Sequence, residues 1–595
     1  MATRSRVSSF SAATPSLRGK EGAETDSYGA VLQGLLQRVP GLTLVLAVPF
    51  VLFVPSYSPG LFSFYYAFLN VVLVLTVARA TAGVWSAWRV SRVNLMDLVS
   101  KSGPSETVFH WIIIPNYKEE LETLRDTLEA LASQPAAKLT YKICLAMEEG
   151  EVDSDKKAAT LIREFPNSFA HIHFTIHPKN LPNEQRGKSS NVSWAATQIG
   201  TLIQATNTTT NTIITIQDTD THLTADYFAT LTNTHLASPE TSHLNFYTPY
   251  NIFDRNSNTI PAIVRIMDIY WTVAQLSFFP SNYPTCVPSQ PTQSPSPSPT
   301  ASGGTSTPSP KTTTFQFQRV YSPASQCNIV GKGTFATDFK AKRVQLKRHH
   351  WGGLLEFSYV FSEVLPRVVG ASAGTPVLEA EFLYPNGRRW GDAIQAWIKM
   401  WFTVYHTLEN AIWPVHAFLV NILAVFVVPG YGPAFLGPVA WGWWKLLNGE
   451  TGVVAPVVSG LTTWIVYVQL LVVPIIALTA IGYEGLYTWC SFGRWEYVKG
   501  LELETGRVGL LGKRSAISNE ERRRWVDMFD WLWLPVVVLY SVCQIAWSSL
   551  MQIGSSRLDY VVAAKPVRKV ENVTVVTSEG IEMVDRKEEP RSSTA

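Results

Sequence analysis

The sequence predicts an α/β domain with a mostly parallel sheet, flanked at both ends by transmembrane α-helices. Three observations carry this. Between residues 108 and 220, apolar runs of strand length alternate with stretches of helical period, the pattern of a parallel sheet covered by helices on both faces. Long apolar blocks rich in aromatics lie before that region and again in the last third. Charged residues make up only 16% of the chain, against about a quarter in ordinary soluble proteins.

A chain of 595 residues exceeds one ordinary domain. Its net charge of +3 gives no electrostatic case for binding nucleic acid. Cys144, Cys286, Cys327, Cys490 and Cys543 show neither paired metal spacing nor a disulfide framework, which suits a reducing, cytosol-facing domain.

Residues 1–38, rich in Ser, Ala, Gly and charge and without an apolar signal core, read as a disordered N-terminal tail. Residues 39–90 hold two expected transmembrane segments, Leu42–Tyr57 and Leu61–Val84, separated by Ser58-Pro59-Gly60. The second is long enough to span a bilayer and the first is about the minimum. Arg79, Arg89, Arg92 and Lys101 follow, while the connecting turn carries no charge. The positive-inside rule therefore puts both outer ends, and the domain after them, in the cytosol. The sequons at Asn191 and Asn207 would then never meet the glycosylation machinery.

The cytosolic domain is expected over residues 105–390. Val108–Ile114 is a continuous apolar run, the mark of a strand buried on both faces, and ends at Pro115-Asn116-Tyr117-Lys118-Glu119. Leu121, Leu124, Leu128 and Leu131 then recur at helical spacing. A second strand, Tyr141–Met147, ends at Glu148-Glu149, and a helix over Asp153–Phe165 follows. A third strand, His171–His177, leads through a polar loop to Gly187-Lys188-Ser189-Ser190-Asn191, which opens another helix. The fourth strand ends at Asp218, and residues 259–279 look helical. Residues 285–314, rich in Ser, Pro and Thr, cannot bury a core and are expected to be a disordered insert.

Beyond the domain, residues 391–410 are aromatic with scattered polar residues, among them Asp392, Lys399 and His406, the composition of an interfacial helix. Residues 411–551 form a C-terminal transmembrane region, with spans near Trp413–Pro429, Val454–Tyr483 and Phe529–Met551. Phe435–Leu447 is broken by Gly and Pro and stays undecided; a basic loop from Arg494 to Arg524 separates the last two spans. Residues 552–595 read as a flexible tail.

The stretch with most chemistry in it is Thr212–Asp220, where the β-branched run Ile213–Ile216 stops at Asp218-Thr219-Asp220. In open α/β sheets ligands bind beyond the carboxyl ends of the strands. Two carboxylates there can hold a hard divalent cation through oxygen, and such a cation would neutralise a diphosphate. Taken alone, Asp-Thr-Asp is also an ordinary polar turn after a buried strand. The other motifs have plain readings too: Lys188 as a surface lysine, Glu148-Glu149 as strand-end charges, and Gln345 and Arg348, three apart, as one solvated helix face.

Together and in this order, the motifs over residues 40–550 resemble the membrane-embedded family 2 glycosyltransferases, the group of cellulose, chitin and hyaluronan synthases, and more closely a fungal-type glycosyltransferase 2-like subgroup. The resemblance implies a nucleotide-diphospho-sugar transferase domain of the GT-A type. It makes Pro115, Tyr117, Glu119, Glu148, Lys188 and Asp218 donor-binding residues, and Asp218 and Asp220 the ligands of Mg²⁺ or Mn²⁺. Gln345-Leu346-Lys347-Arg348-His349-His350-Trp351 is similar to the family's Gln-x-x-Arg-x-Trp element, with one extra residue before the tryptophan, and makes Gln345, Arg348 and Trp351 catalytic. In the family that tryptophan stacks under the acceptor sugar.

An inverting transfer, the family's usual outcome, also needs a carboxylate to take the acceptor's proton. In relatives it is the Asp of a Glu-Asp pair between the two elements. This sequence departs there: between Asp254 and Asp338 its only acidic residue is Asp268. Asp338, Glu356 and Glu363 are the substitutes to consider, and the expectation is that the base has been displaced.

The resemblance therefore implies a membrane-bound, inverting, metal-dependent glycosyltransferase. It would use a nucleotide-diphosphate sugar, expected to be UDP-linked, and a glycan or lipid acceptor. Its place would be the plasma membrane or the Golgi and endoplasmic reticulum, as a multi-pass protein with a cytosolic catalytic domain. The missing acidic pair favours a second reading, a catalytically impaired partner or scaffold in a homo- or hetero-oligomeric synthase complex. A transporter or channel is the third reading, opposed by the large α/β insertion and the lack of internal repeats in the C-terminal spans.

Overall fold

The computed structural model describes residues 22–91, 107–179, 187–205, 212–237, 245–257, 260–279, 316–329, 334–364, 404–427, 471–490 and 525–554, with a few short pieces between and after them. The 285–314 insert, residues 391–400 of the expected interfacial helix, the Phe435–Leu447 stretch, the Arg494–Arg524 loop, residues 1–21 and most of 552–595 lie outside the described residues.

Two long helices lead: α1 (Gly22–Tyr57) and α2 (Pro59–Ser91). The domain follows as β1 (Phe109–Pro115), α3 (Leu121–Ala132), β2 (Tyr141–Glu148), α4 (Ser154–Glu164), β3 (His171–His177), α5 (Lys188–Ala205) and β4 (Thr212–Ile216). The four strands form one sheet in the order β3-β2-β1-β4, and every pairing is parallel. The apolar run of the first strand has its predicted burial: Ile112, Ile113 and Ile114 are all fully buried. On one face Ile112 and Ile114 pack with Leu124, Leu128 and Leu131 of α3 and Leu161 of α4; on the other, Trp111 and Ile113 pack with Ala195 and Ile199 of α5.

That division of helices fixes where a ligand can go. The chain winds from β1 to β3 with α3 and α4 on one face, then α5 carries it back across the opposite face to set β4 on the far side of β1. Strand order reverses between β1 and β4, so their carboxyl ends diverge and leave a crevice, the usual ligand position in such sheets.

The rest of the domain consists of β5 (Thr221–His222), α6 (Ala225–Leu236), β6 (Asn245–Thr248), β7 (Asn251–Phe253), α7 (Ala262–Phe278), β8 (Gln316–Arg319), β9 (Ala324–Gln326) and α8 (Phe335–Tyr359). After the insert the chain returns as β9 between β5 and β7, beside the Asp218–Asp220 turn. A Thr334 capping box opens α8.

Among the described residues, four helices are long and apolar enough to cross a membrane: Val31–Tyr57, Pro59–Ser91, Leu471–Cys490 and Asp527–Gly554. They make the chain a multi-pass integral membrane protein. The Trp413–Pro429 stretch becomes α9 (Trp413–Val427), a shorter apolar helix. The next span, labelled α10 (Leu471–Cys490), runs past Tyr483, and its expected start at Val454 is outside the described residues. The last is α11 (Leu534–Gly554), entered through a 3₁₀ turn at Trp525–Trp533.

The first helix also departs from expectation, since it starts at Gly22, inside the stretch read as a tail. Its polar composition conceals the reason. Gln37 is buried, Arg38 donates through Nε to the Ile553 carbonyl at 3.1 Å, and Val39 packs on Leu354, Phe357 and Ala411. Those partners are hundreds of residues away in sequence. At the junction of membrane and domain, Gly83 of α2 lies so close to the Leu276 carbonyl of α7 that a Cβ would overlap it.

Candidate functional site

The crevice between β1 and β4 is lined by two loops, Pro115–Glu119 and Gln217–Asp220. The first is held from behind. Asn116 Nδ2 and the Lys118 backbone N–H both donate to Glu151 Oε2 at 2.8 Å. Lys157 of α4 donates to Glu151 Oε1 at 2.8 Å, to Asn116 Oδ1 at 3.2 Å and to the Glu119 carbonyl. Lys118 adopts a left-handed backbone at φ 57°, unfavourable for a side chain with a Cβ by roughly 1 kcal/mol, and the Glu151 contact offsets it. Tyr117 and Glu119 are half-buried on this loop and Pro115 closes the strand.

The second loop is held more tightly. Thr127 of α3 donates to the Thr219 carbonyl at 2.5 Å, Arg255 Nη1 to the Asp220 carbonyl at 2.7 Å, and Gln217 Nε2 to the Thr221 carbonyl at 2.8 Å. With its carbonyls engaged, the turn is held in place and presents Asp218 and Asp220 at the end of β4. Lys188, at the first turn of α5, forms an ion pair with Asp218. Both side chains are more than a third exposed (47% and 41%), so the pair is screened and worth little to stability. Asn191 is buried and donates to the Ala146 carbonyl at 2.8 Å, fixing α5 to the end of β2. That burial also removes the Asn191 sequon from use in the folded protein. Asn207 lies outside the described residues.

Glu148 is buried at the end of β2, with His177 Nδ1 3.3 Å from Oε2. Glu149 instead accepts from the Lys179 backbone N–H at 2.7 Å.

Helices α7 and α8 form the remaining wall. Asp268 of α7 is buried and ion-paired with Lys342 of α8, whose ammonium also donates to Gln345 Oε1 at 2.7 Å. One helical turn on, Trp271 lies against His349, with ring centroids 4.8 Å apart. Burial raises the Asp268 carboxyl above the usual range, Lys342 opposes that, and Asp220 repels the same carboxylate. Burial, with Lys342 and Arg348, pushes the His349 imidazole down to about 3, against the pull of Asp218. Asp220 repels Asp268 and Asp218 attracts His349, so this face of the helix pair is turned toward the carboxylate turn. Gln345 thus joins the site through Lys342, and Arg348 lies beside His349. Trp351 is buried toward the membrane helices, where Gln552 of α11 donates to its carbonyl at 3.4 Å.

The three substitute carboxylates fall elsewhere or outside view. Asp338 is buried in the first turn of α8, accepting from the Gly331 N–H at 2.7 Å. Glu356 sits nearer the membrane, 4.0 Å from His406, and burial raises its carboxyl to about 7. The Glu363 side chain is outside the described residues. The residues that sequence reading missed are Thr127, Glu151, Lys157, Arg255, Lys342 and His349. Helical spacing puts Lys342, Gln345 and His349 on one face of α8, but nothing in the sequence says which face meets Asp268.

Among the described residues there is no group of three or more His, Cys, Asp or Glu side chains placed to hold a metal. Two carboxylates on a braced turn still fit Mg²⁺ or Mn²⁺, because hard cations of this size are commonly bound by one or two carboxylates plus substrate phosphates and water. No protein-family model matches the sequence, and no curated protein matches it.

Proposed function

We propose that the chain is a membrane-bound glycosyltransferase of GT-A fold, taking a sugar from a nucleotide-diphosphate donor, UDP-linked, to a glycan or lipid acceptor. The observation that carries the reading is Asp218-Thr219-Asp220 on a braced turn at the switch point of a parallel sheet, beside the Lys188 ammonium. A diphosphate leaving group needs positive charge where its bond breaks. Lys188 at a helix N-terminus offers that charge together with backbone N–H groups. Mg²⁺ or Mn²⁺ on Asp218 and Asp220 would supply Lewis-acid charge neutralisation to the same oxygens. The basic residue Arg89 in the last turn of α2 supports a cytosolic domain.

The test is metal-dependent UDP binding to the full chain in detergent. Asp220→Asn should weaken Mn²⁺-dependent UDP binding at least tenfold; unchanged binding would remove the carboxylate turn from the site. A second reading, a donor-binding partner without transfer activity, is favoured by the absence of a Glu-Asp pair between Asp254 and Asp338. It predicts UDP binding without UDP-sugar turnover.

A further inference from the structure

Helix α7 carries two polar atoms with no partner among the described residues, Asp268 Oδ2 and Thr272 Oγ1. The Asp268 side chain is 2% exposed and Thr272 is fully buried. A buried polar group without a partner costs about 1–3 kcal/mol, so two on one helix ask for an explanation. Their spacing of four residues puts them one above the other on a single helix face. Asp268 Oδ1 is already taken by Lys342, and Asp220 is close enough to repel the carboxylate.

We propose that Asp268 is the group that takes the acceptor's proton and that Thr272 holds the same acceptor hydroxyl, the two unpartnered oxygens forming a hydroxyl-binding slot beside the Asp218–Asp220 turn. This rests on the glycosyltransferase reading. A hydroxyl is both donor and acceptor, and the pair offers one of each: the carboxylate Oδ2 accepts its proton and the Thr272 O–H donates to its oxygen. As the new bond forms between acceptor oxygen and anomeric carbon, the bond from that carbon to the diphosphate oxygen breaks. The electron pair leaves with the nucleoside diphosphate, and the acceptor's proton passes to Asp268 Oδ2. Lys342, bonded to Oδ1 and to Gln345, orients the carboxylate and opposes the effect of burial on it. On this face α7 and α8 are tied by the Trp271–His349 ring contact and by a lysine ammonium on a flexible stem, so the proposed slot requires the hydroxyl to enter between them. Asp338, placed to brace the Gly331 loop, and Glu356, next to His406, cannot stand in.

The experiment uses the purified full chain in detergent, with Mn²⁺, a panel of UDP-sugars and a β-linked disaccharide as the acceptor probe. It measures UDP binding, UDP release and thermal unfolding. Asp268→Asn should lower UDP release by about 10²–10⁴-fold while UDP binding stays within threefold and unfolding within a few degrees. Asp268→Glu should recover part of the turnover, and Thr272→Val should act chiefly on KM for the disaccharide. Turnover by Asp268→Asn within threefold of wild type overturns the assignment. So does a joint loss of binding, turnover and stability that Asp268→Glu does not relieve, since that marks a structural ion pair. A wild-type chain that binds UDP but releases none from UDP-sugars overturns the proton-acceptor role and leaves donor binding standing. A chain that binds no UDP overturns both.

Discussion

Arg265 offers the sharpest test of how the domain is fastened to the membrane helices. It lies on α7, three residues before Asp268, and its guanidinium is shared by four contacts. Nε and Nη2 donate to the two oxygens of Asp530 at 2.5 and 3.2 Å, Nη2 also to Asp527 at 3.4 Å, and Nη1 to the Ser257 carbonyl at 2.5 Å. Arg265 and Asp530 are 10% and 8% exposed, whereas Asp527 is 21% exposed. Arg265→Met removes every donor and strands the Asp530 charge, a change that costs about 3–5 kcal/mol for a buried pair, with about 1–3 kcal/mol more for the Ser257 carbonyl. Asp530→Asn should cost less, because Arg265 keeps Asp527 and Ser257. Replacing both partners, Arg265→Met with Asp530→Leu, should restore most of the loss. The assay is thermal unfolding of the detergent-solubilised chain, in which each kcal/mol corresponds to about 2–4 °C in a domain of this size. Arg265→Met should therefore lower the midpoint by about 6 °C or more. A midpoint within 1 °C of wild type, or a double variant worse than Arg265→Met alone, would refute the reasoning.

Two further outcomes follow from buried groups. His110 is buried beside Tyr141 and Phe228, with Nε2 2.9 Å from Thr232 Oγ1. Burial first, then His235, lowers its imidazole to about 3. The unfolded chain takes up a proton near pH 6.5 that the folded domain refuses. The stability from neutral His110 is therefore full above pH 6.5 and falls by about 1.4 kcal/mol per pH unit down to about pH 3; urea titrations of His110→Gln should show a flatter slope in that window. Gly83→Ala should push α2 off the Leu276 carbonyl of α7 and cost about 1–3 kcal/mol. Gly60→Ala, with nothing within 4 Å of the added Cβ, should leave the unfolding midpoint unmoved.

What could be read from the sequence was what local pattern controls. The Ile112–Ile114 run, the leucine spacing of α3 and the stop at Asp218 each follow from residues adjacent in the chain, and each sits where period and turn chemistry put it. The strand order was not readable, because a parallel sheet of four strands can be wound in several ways. Nor were the braces on the two site loops. Thr127 to Thr219 and Arg255 to Asp220 are pairings across the fold, made by residue types that are ordinary on any surface. Asp268 shows the limit most clearly. In the sequence it is a lone acid in an apolar helix, which suggests nothing; its meaning comes from Lys342, which reaches it from across the insert.

Residues 285–314 lie between Asp268 and Lys342 in the sequence, yet the chain on either side of them closes on itself. Their flanks are fastened to each other: Arg319 Nη1 donates to the Phe279 carbonyl at 2.8 Å, and Phe279 packs edge-on against both Tyr250 and Tyr321. The chain therefore leaves α7 and rejoins β8 at one place. Loop-closure entropy rises by only about 0.6 kcal/mol for each doubling of length, so the fold carries a long excursion there at little cost. Past it, Asn328 bonds back to Asn256 and Phe253, β9 pairs beside the carboxylate turn, and α8 comes down onto α7 with Lys342 facing Asp268. The elements on either side of the segment thus form one continuous frame beside the carboxylate turn. In such a frame the acidic group beside Asp220 on this wall is the one α7 brings, and for that reason Asp268 is the residue on which transfer activity should be tried first.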